Sequence, residues 1–591
     1  MKKLFRRSLA LVLALVSVLG LLTACGGGEE QQVGEQTATK KYINVSTTAP
    51  QTTCNPYTSQ AATDNTVVGY VTDCLYGIIP DEVTKKGARV PIYATAEPVD
   101  VNGDGTVWQM DVRPDAKWMN GEPITAATFM YSWKTCLDPN CVFVAAGSLS
   151  NNMVKIKNAK EYYTQNTTGV PVAWEDVGLK QLDDDTLEVT LDGPYTKAEV
   201  MAHFSQQFTA PIYEPLFEAG MNSDHTETTY GTEKTQTMSC GPFYISEWIK
   251  GSEIRYEKNP NWPFADRIVV DGIVNRVVQD NNTQIQMFEG GELDYVGIGV
   301  DGLEKYEEDP RLNFSTSNWT NMIDICSTNT EEPILANKNF KEALSYAIDR
   351  ETIARLTKNL PATWLISEMA VAYTDGTFYR DLPFTQDYIK TEEDNWGYDP
   401  VKAKQLFDKA MEEEGLDKVE ISFLYNSDGA GARTTAQFLQ EALANIFGPD
   451  KFSLVLDGMP NALMLDIKKN TDKDPNAYEL TFSRWSMASA KYQPIRSLEV
   501  YTTEYKRKNA PYRNEEANEL FKLAMSPEIR MDEVKFAETT AAMERSLITN
   551  YDTIPIMEET SYTMFSDSFV RYLPAQDPTL GWGIIYSDVI R

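Results

Sequence analysis

The residues that could do chemistry are few and widely spaced. Only two histidines occur, His203 and His225, which leaves little for histidine acid–base catalysis or histidine-ligated metal. His203 lies in VMAHFSQQF, among apolar neighbours, and reads as a packing residue. No G-x-S-x-G elbow and no G-K-[ST] phosphate loop occur, and Gly429-Ala-Gly431 lacks the further glycine of a dinucleotide fingerprint. Hydrolase chemistry therefore has no visible nucleophile and base. Asp100-Val-Asn102-Gly-Asp104-Gly105, with Asp111 beyond, has calcium-loop spacing. Its flanks refuse a helix on either side, and Asn-Gly-Asp-Gly favours a hairpin turn. The triplet Asp183-Asp184-Asp185 precedes the strand-like TLEVTL and reads as a solvated hairpin tip. Beyond Cys25 there are six cysteines, Cys54, Cys74, Cys136, Cys141, Cys240 and Cys326. An even number permits disulfides in an oxidising compartment, with Cys136 and Cys141 the nearest pair; buried thiols are the alternative. No C-x-x-C occurs, and no metal or cofactor is expected.

Mixed elements must position whatever site exists. Short strands are expected near 42–46, 108–112, 186–191, 243–248 and 253–257. From about residue 338 the period changes. Phe340, Ala343, Leu344, Ala347 and Ile348 fall on one helical face. Asp399-Pro400 is an N-cap followed by proline at the first helical position, and Ala403, Leu406, Phe407, Ala410 and Met411 repeat the stripe. A strand at 419–425, a helix at 434–447 and a strand at 452–456 form a βαβ unit with parallel strands. Helices are expected at 518–525 and 531–550, and strand-like runs from 554 to 591.

The chain has 591 residues, room for roughly four domains at about 150 residues each. Its 54 Lys and Arg against 86 Asp and Glu give a net charge of −32, which argues against a nucleic-acid partner. Hydrophobic residues at 42% and aromatics at 11% exclude a disordered chain.

The first segment is an address. Lys2, Lys3, Arg6 and Arg7 precede an apolar run from Ser8 to Leu22, too short for a comfortable span. Leu22-Thr23-Ala24-Cys25 resembles a bacterial lipobox, in which the cysteine thiol receives lipid and becomes the mature N-terminus. The glycine-rich, polar 26–41 then reads as a flexible tether. This implies a protein anchored by lipid at Cys25 to the extracytoplasmic face of a bacterial cell membrane, of the Gram-positive type.

Several segments together resemble the oligopeptide- and dipeptide-binding proteins of ATP-driven importers. Residues 110–138, MDVRPDAKWMNGEPITAATFMYSWKTCLD, are similar to the family's strand, turn and Tyr-Ser-Trp helix. So are SCGPFYISEWIKGSEIRYEKNPNW at 239–262, FEGGELDY at 288–295 and NFKEALSYAIDRE at 339–351. Tyr398-Asp-Pro-Val-Lys-Ala-Lys and Ile554-Pro-Ile also fit. The resemblance covers about 42 to 591. It implies an α/β (mixed α+β), two-lobed periplasmic-binding-protein-like fold with a hinge and three structural domains. The first is discontinuous (42–75, 205–278 and 554–591), the second is an insertion (76–204), and the third is 279–553. It implies a monomer that traps a peptide or peptide-like ligand between lobes and passes it to ABC permease subunits. A sensor or surface-interaction lipoprotein of the same fold is the alternative.

The same resemblance implies which residues touch ligand. One strand edge falls at Gln60, Ala61 and Ala62; the other at Ser483, Arg484, Trp485, Ser486 and Met487, with Lys491 and Tyr492 beyond. A core role is the alternative for Trp485. Peptide binders of this family commonly place an Asp-Tyr pair after that tryptophan to hold the ligand's ammonium. Here WSMASAKYQP has no acid, and Lys491-Tyr492 takes that place. A buried ammonium needs a partner. Either another carboxylate serves, or the ligand has no free amino end there, or Lys491 faces solvent.

Overall fold

The computed structural model describes residues 40–141, 143–373, 376–469, 474–486, 493–503 and 514–591. From Lys41 to Arg591 they form one unit. The chain opens with β1 (Tyr42–Thr47), followed by helix α1 (Ala62–Val71) and the hairpin β2 (Tyr76–Pro80) and β3 (Gly87–Pro91). A small antiparallel sheet comes next: β4 (Val99–Asp100), β5 (Val107–Asp111), β6 (Leu179–Gln181) and β7 (Thr186–Thr190), in spatial order β4-β5-β7-β6. Helix α2 (Lys197–His203) leads out of it. Strands β8 (Phe243–Ile249), β9 (Glu253–Lys258) and β10 (Gly272–Val277) then return beside β1, which pairs parallel with β10 from Tyr42 opposite Gly272. These strands, the small sheet and residues from 565 to 589 share one apolar core.

The second half is built on a larger sheet. Its strands are β11 (Tyr295–Ile298), β12 (Leu312–Ile325), β13 (Leu360–Pro361), β14 (Val419–Asn426), β15 (Phe452–Met459), β16 (Leu480–Ser486) and β17 (Thr553–Phe565), in the order β11-β17-β12-β16-β14-β15 with β13 beside β17. The expected βαβ unit is β14, helix α3 (Ala430–Phe447) and β15, with parallel register from Val419 opposite Phe452. The striped helix is Lys338–Ala347, and it buries Phe340, Ala343, Leu344 and Ala347. Asp399 caps Pro400–Glu414 as its sequence position predicts, accepting from the Lys402 N–H at 2.9 Å. Along β12, Ile323 and Ile325 join one apolar cluster and Met322 the other, as alternation across a strand requires.

The architecture is two-lobed and mixed α/β. Asp294, just before β11, ties β1 to the last residue of the chain. Its carboxylate accepts from the Asn44 N–H and the Arg591 guanidinium, each at 2.6 Å. Its own N–H donates to the Asn44 carbonyl, and its carbonyl accepts from Ser566 N–H. β17 pairs inside the large sheet, with β11 and β12 on its two sides. The strand reading of Ile554-Pro-Ile was right. Its partners lie more than two hundred residues away, beyond local patterning.

Candidate functional site

Elements of both lobes enclose a cavity of about 740 Å³, within the range of small-ligand pockets. The first lobe contributes the tip between β2 and β3, the start of α2, and residues 577–579. The second contributes 371–373, 376, 378, Gln493 and the segment around Arg530 and Phe536. The tip is held by Asp81, whose carboxylate accepts from Val83 N–H and from Thr84 N–H and Oγ1. The first-lobe wall carries Lys86, Glu97 and Lys197; the second presents Val371, Phe378 and Phe536.

A charge pair bridges the lobes beside this cavity. Thr196 and Glu199 form a capping box at the start of α2, with Glu199 Oε2 accepting from Thr196 N–H at 2.9 Å. The other oxygen, Oε1, accepts from Arg530 Nε at 2.8 Å and Nη2 at 2.6 Å, and from Gln493 Nε2. Arg530 also lies 4.1 Å over the Tyr195 ring. Both charged side chains are about nine-tenths buried, so each depends on the other.

The expected ligand residues that are described do not line this cavity. Gln60, Ala61 and Ala62 are exposed where α1 begins, and Ala61 caps it without a side-chain bond. Ser483, Arg484, Trp485 and Ser486 form the end of β16, opposite Met322, Asn321, Thr320 and Trp319 of β12. The ladder from β16 to β14 ends at Thr481. Ser483 is buried and accepts from Lys468, which also pairs with Asp324 at 3.3 Å. Arg484 is exposed, 3.4 Å from Glu559 and 4.4 Å from the Trp319 ring centroid. Trp485 is half-buried against the cluster holding Met322 and Trp364. None of these residues lines the 740 Å³ cavity, whereas Gln493 does. Met487, Lys491, Tyr492 and Cys25 lie outside the described residues.

Sequence reading missed a second polar site. Glu558 on β17 is buried and accepts from Trp364 Nε1 at 3.0 Å, from Ser367 Oγ, and weakly from Glu368 N–H at 3.5 Å. Burial pushes its carboxyl up to about 7. An acid inside the strand run at 554–565 was the available signal, since a buried carboxylate must find donors. The pairing of Glu199 with Arg530 had only half a signal: the T-x-x-E box is local, but the arginine is 331 residues on.

The remaining motifs resolve plainly. Asp100 and Asp104 serve the hairpin joining β4 to β5, accepting from Gly103, Gly105 and Thr106 N–H. The acidic triplet caps the turn between β6 and β7 through Asp183. His203 is buried against Phe204 and Phe208, with Nε2 3.1 Å from the Leu149 carbonyl, and burial lowers its pKa to about 3. Of the two readings open for the cysteines, the structure shows thiols. All six cysteines are free thiols, five of them buried, with Cys54 bonded to Gly231 and Cys74 to Gln206 through backbone carbonyls. Among the described residues no group of three or more His, Cys, Asp or Glu could hold a metal, and no helix is long and apolar enough to cross a membrane.

Known proteins share this fold. The dipeptide-binding protein DppE of Bacillus subtilis is 28% identical over 437 residues, 73% of each chain. A dipeptide-binding protein of Lactococcus lactis is 24% identical over 557 residues, 91% of each chain. The solved structure of Listeria monocytogenes OppA bound to peptide superposes with a TM-score of 0.63 at 20% identity, covering 94% of this chain and 100% of that one. Residues 90–506 match the family described as bacterial extracellular solute-binding proteins, family 5 Middle. That span runs from the edge of the β2–β3 hairpin through β16 and takes in both lobes, and so the chain belongs to the family 5 bacterial extracellular solute-binding proteins.

Proposed function

We propose that this protein captures peptides or peptide-like ligands between its lobes, outside the cytoplasm, and delivers them to the permease of an ATP-driven importer. Its family makes it a binding protein and not an enzyme. The observation that carries the peptide reading is the edge of β16. From Phe482 onward it is no longer paired with β14, and in this reading an extended peptide adds there as a strand. The interlobe cavity supports closure around a ligand. Relatives named for dipeptides and oligopeptides support the ligand class. In this reading 42–75 and 205–278 join the return from 566, 76–204 is the insertion, and the rest is the second lobe.

Native mass spectrometry of the purified protein tests the ligand class without presupposing it. Co-purified peptide is the expected result, and a uniformly non-peptide ligand would overturn the reading. Lipid attachment at Cys25 is the second part. The Cys25→Ala precursor is expected to remain uncleaved or to be released to the medium. Normal membrane retention with a mature N-terminus beyond position 25 would refute the anchor.

A further inference from the structure

We infer that the cavity between the lobes selects a bulky, uncharged side chain of the ligand, and that Phe378 is the residue that reads it. The inference rests on the peptide-capture reading and names a specificity residue within it. Phe378 lines the cavity from the second lobe. It pairs with Val371 as an isolated antiparallel bridge, and inside that bridge Ala372 N–H donates to the Thr377 carbonyl at 2.8 Å. The loop carries the ring across to the first lobe, where the Lys86 ammonium lies 5.2 Å from its centroid. The ring is half-buried, and among the described residues it belongs to none of the apolar clusters that make the core. An aromatic ring that the core leaves out, held at a cavity, keeps apolar area for a ligand to cover.

The other walls are apolar or already engaged. Ala198, Met201 and Ala202 of α2 line the cavity from the first lobe, and Phe536 of the helix Glu533–Thr549 lines it from the second. The charged groups around it have partners inside the protein. Arg530 holds Glu199, and Lys197 holds Glu97 at 2.6 Å. The Asp81 carboxylate accepts from N–H groups of its own turn, and Asp577 accepts from Thr579 and Leu580 N–H and from Gly87 N–H. Arg89 and Glu533 are engaged as well. Lys86 is the exception: among the described residues no carboxylate pairs with it, and it lies over Phe378. A charged ligand side chain entering here sheds its water and, Lys86 apart, finds these groups already taken. A bulky apolar one covers Phe378 and Phe536, and its gain grows with the area removed from water. About 150 Å³ holds one benzene ring, so 740 Å³ leaves room for a large side chain and the residues beside it.

Competition among peptides tests this. Ligand-stripped protein is offered equal amounts of four mass-tagged pools of four to eight residues, built from Gly, Ala and Ser with one variable residue placed at each position in turn. The variable residue is Phe or Leu in the first pool, Ala in the second, Asp or Glu in the third, and Lys or Arg in the fourth. Wild type is expected to enrich the first pool at least tenfold over each of the others, about 1.4 kcal/mol. Phe378→Ala is expected to cut that enrichment below threefold and Phe378→Leu to keep most of it, with thermal midpoints near wild type because the ring lies outside the core clusters. Ala198→Phe fills the cavity from the opposite lobe, and is expected to exclude the first pool while still capturing the second. Equal capture of the first two pools by wild type overturns the assignment and leaves peptide capture standing. So does an enrichment unchanged in a folded Phe378→Ala protein or in Ala198→Phe. A wild-type preference for the acidic pool overturns it in favour of Lys86 as the reading residue, and a preference for the basic pool overturns it outright. Capture of no pool overturns the assignment and the peptide reading together.

Discussion

His203 and Glu558 are both buried titratable groups, and they pull stability in opposite directions with pH. His203 falls from an ordinary 6.5 to about 3 because burial disfavours the imidazolium. Between those values the unfolded chain binds the extra proton, so this residue makes stability rise with pH and withdraws it as pH falls through the window. Glu558 rises from 4.5 to about 7. There the folded state binds the extra proton, so its contribution is present below 4.5 and lost as pH rises towards 7. Each slope is at most about 1.4 kcal/mol per pH unit. The two oppose each other between 4.5 and 6.5, so wild type conceals both. Denaturant unfolding at several pH values should show stability falling more steeply with pH in His203→Gln than in wild type, and rising more steeply in Glu558→Gln. Parallel curves for wild type and either variant would mean that the residue is not buried as described.

At the scale of elements, the turn between β4 and β5 separates two uses of one motif. Gly103 and Gly105 both have positive φ, +73° and +75°. A Cβ at Gly103 meets nothing within 4 Å, whereas one at Gly105 falls 2.7 Å from the Tyr195 carbonyl oxygen, which is backbone and cannot swing aside. Gly103→Ala should cost about 1 kcal/mol from strain alone, and Gly105→Ala clearly more, by denaturant titration. Equal costs would contradict the packing of this turn against Tyr195. Millimolar calcium should leave the melting temperature of wild type unchanged, because the Asp100 and Asp104 carboxylates are spent on the turn's own N–H groups. A rise with calcium would restore the ion-loop reading.

For the whole molecule, Glu199 and Arg530 are the contact to test. They lie in different lobes and are nearly buried, and Glu199 also accepts from Gln493, which directly follows the 487–492 segment. Arg530→Met leaves an uncompensated carboxylate inside the interface, a loss of about 3–5 kcal/mol where burial is complete. The ligand-free variant should therefore open: its radius of gyration by small-angle scattering is expected to exceed that of wild type, and Glu199→Gln should behave alike. Equal radii in all three proteins would mean that the pair does not hold the lobes. Added ligand should compact wild type, and tight binding without compaction would oppose closure.

Sequence alone determined whatever depends on neighbours a few residues apart. Phe340 to Ala347 repeat at helical spacing, Asp399-Pro400 starts a helix, Asn-Gly-Asp-Gly turns a hairpin, and β14 to β15 alternate strand, helix and strand in a way that requires parallel pairing. These signals survive because turn geometry and one-face burial are local. Tertiary structure decided the rest. Which sheet β17 joins, that Trp485, Thr320 and Glu558 share a row, and that Glu199 meets Arg530 are all choices among distant partners. Residues paired across hundreds of positions carry no spacing to read. Such pairings form because the fold as a whole must bury apolar area and match every buried polar group, and only the assembled chain specifies which groups those are.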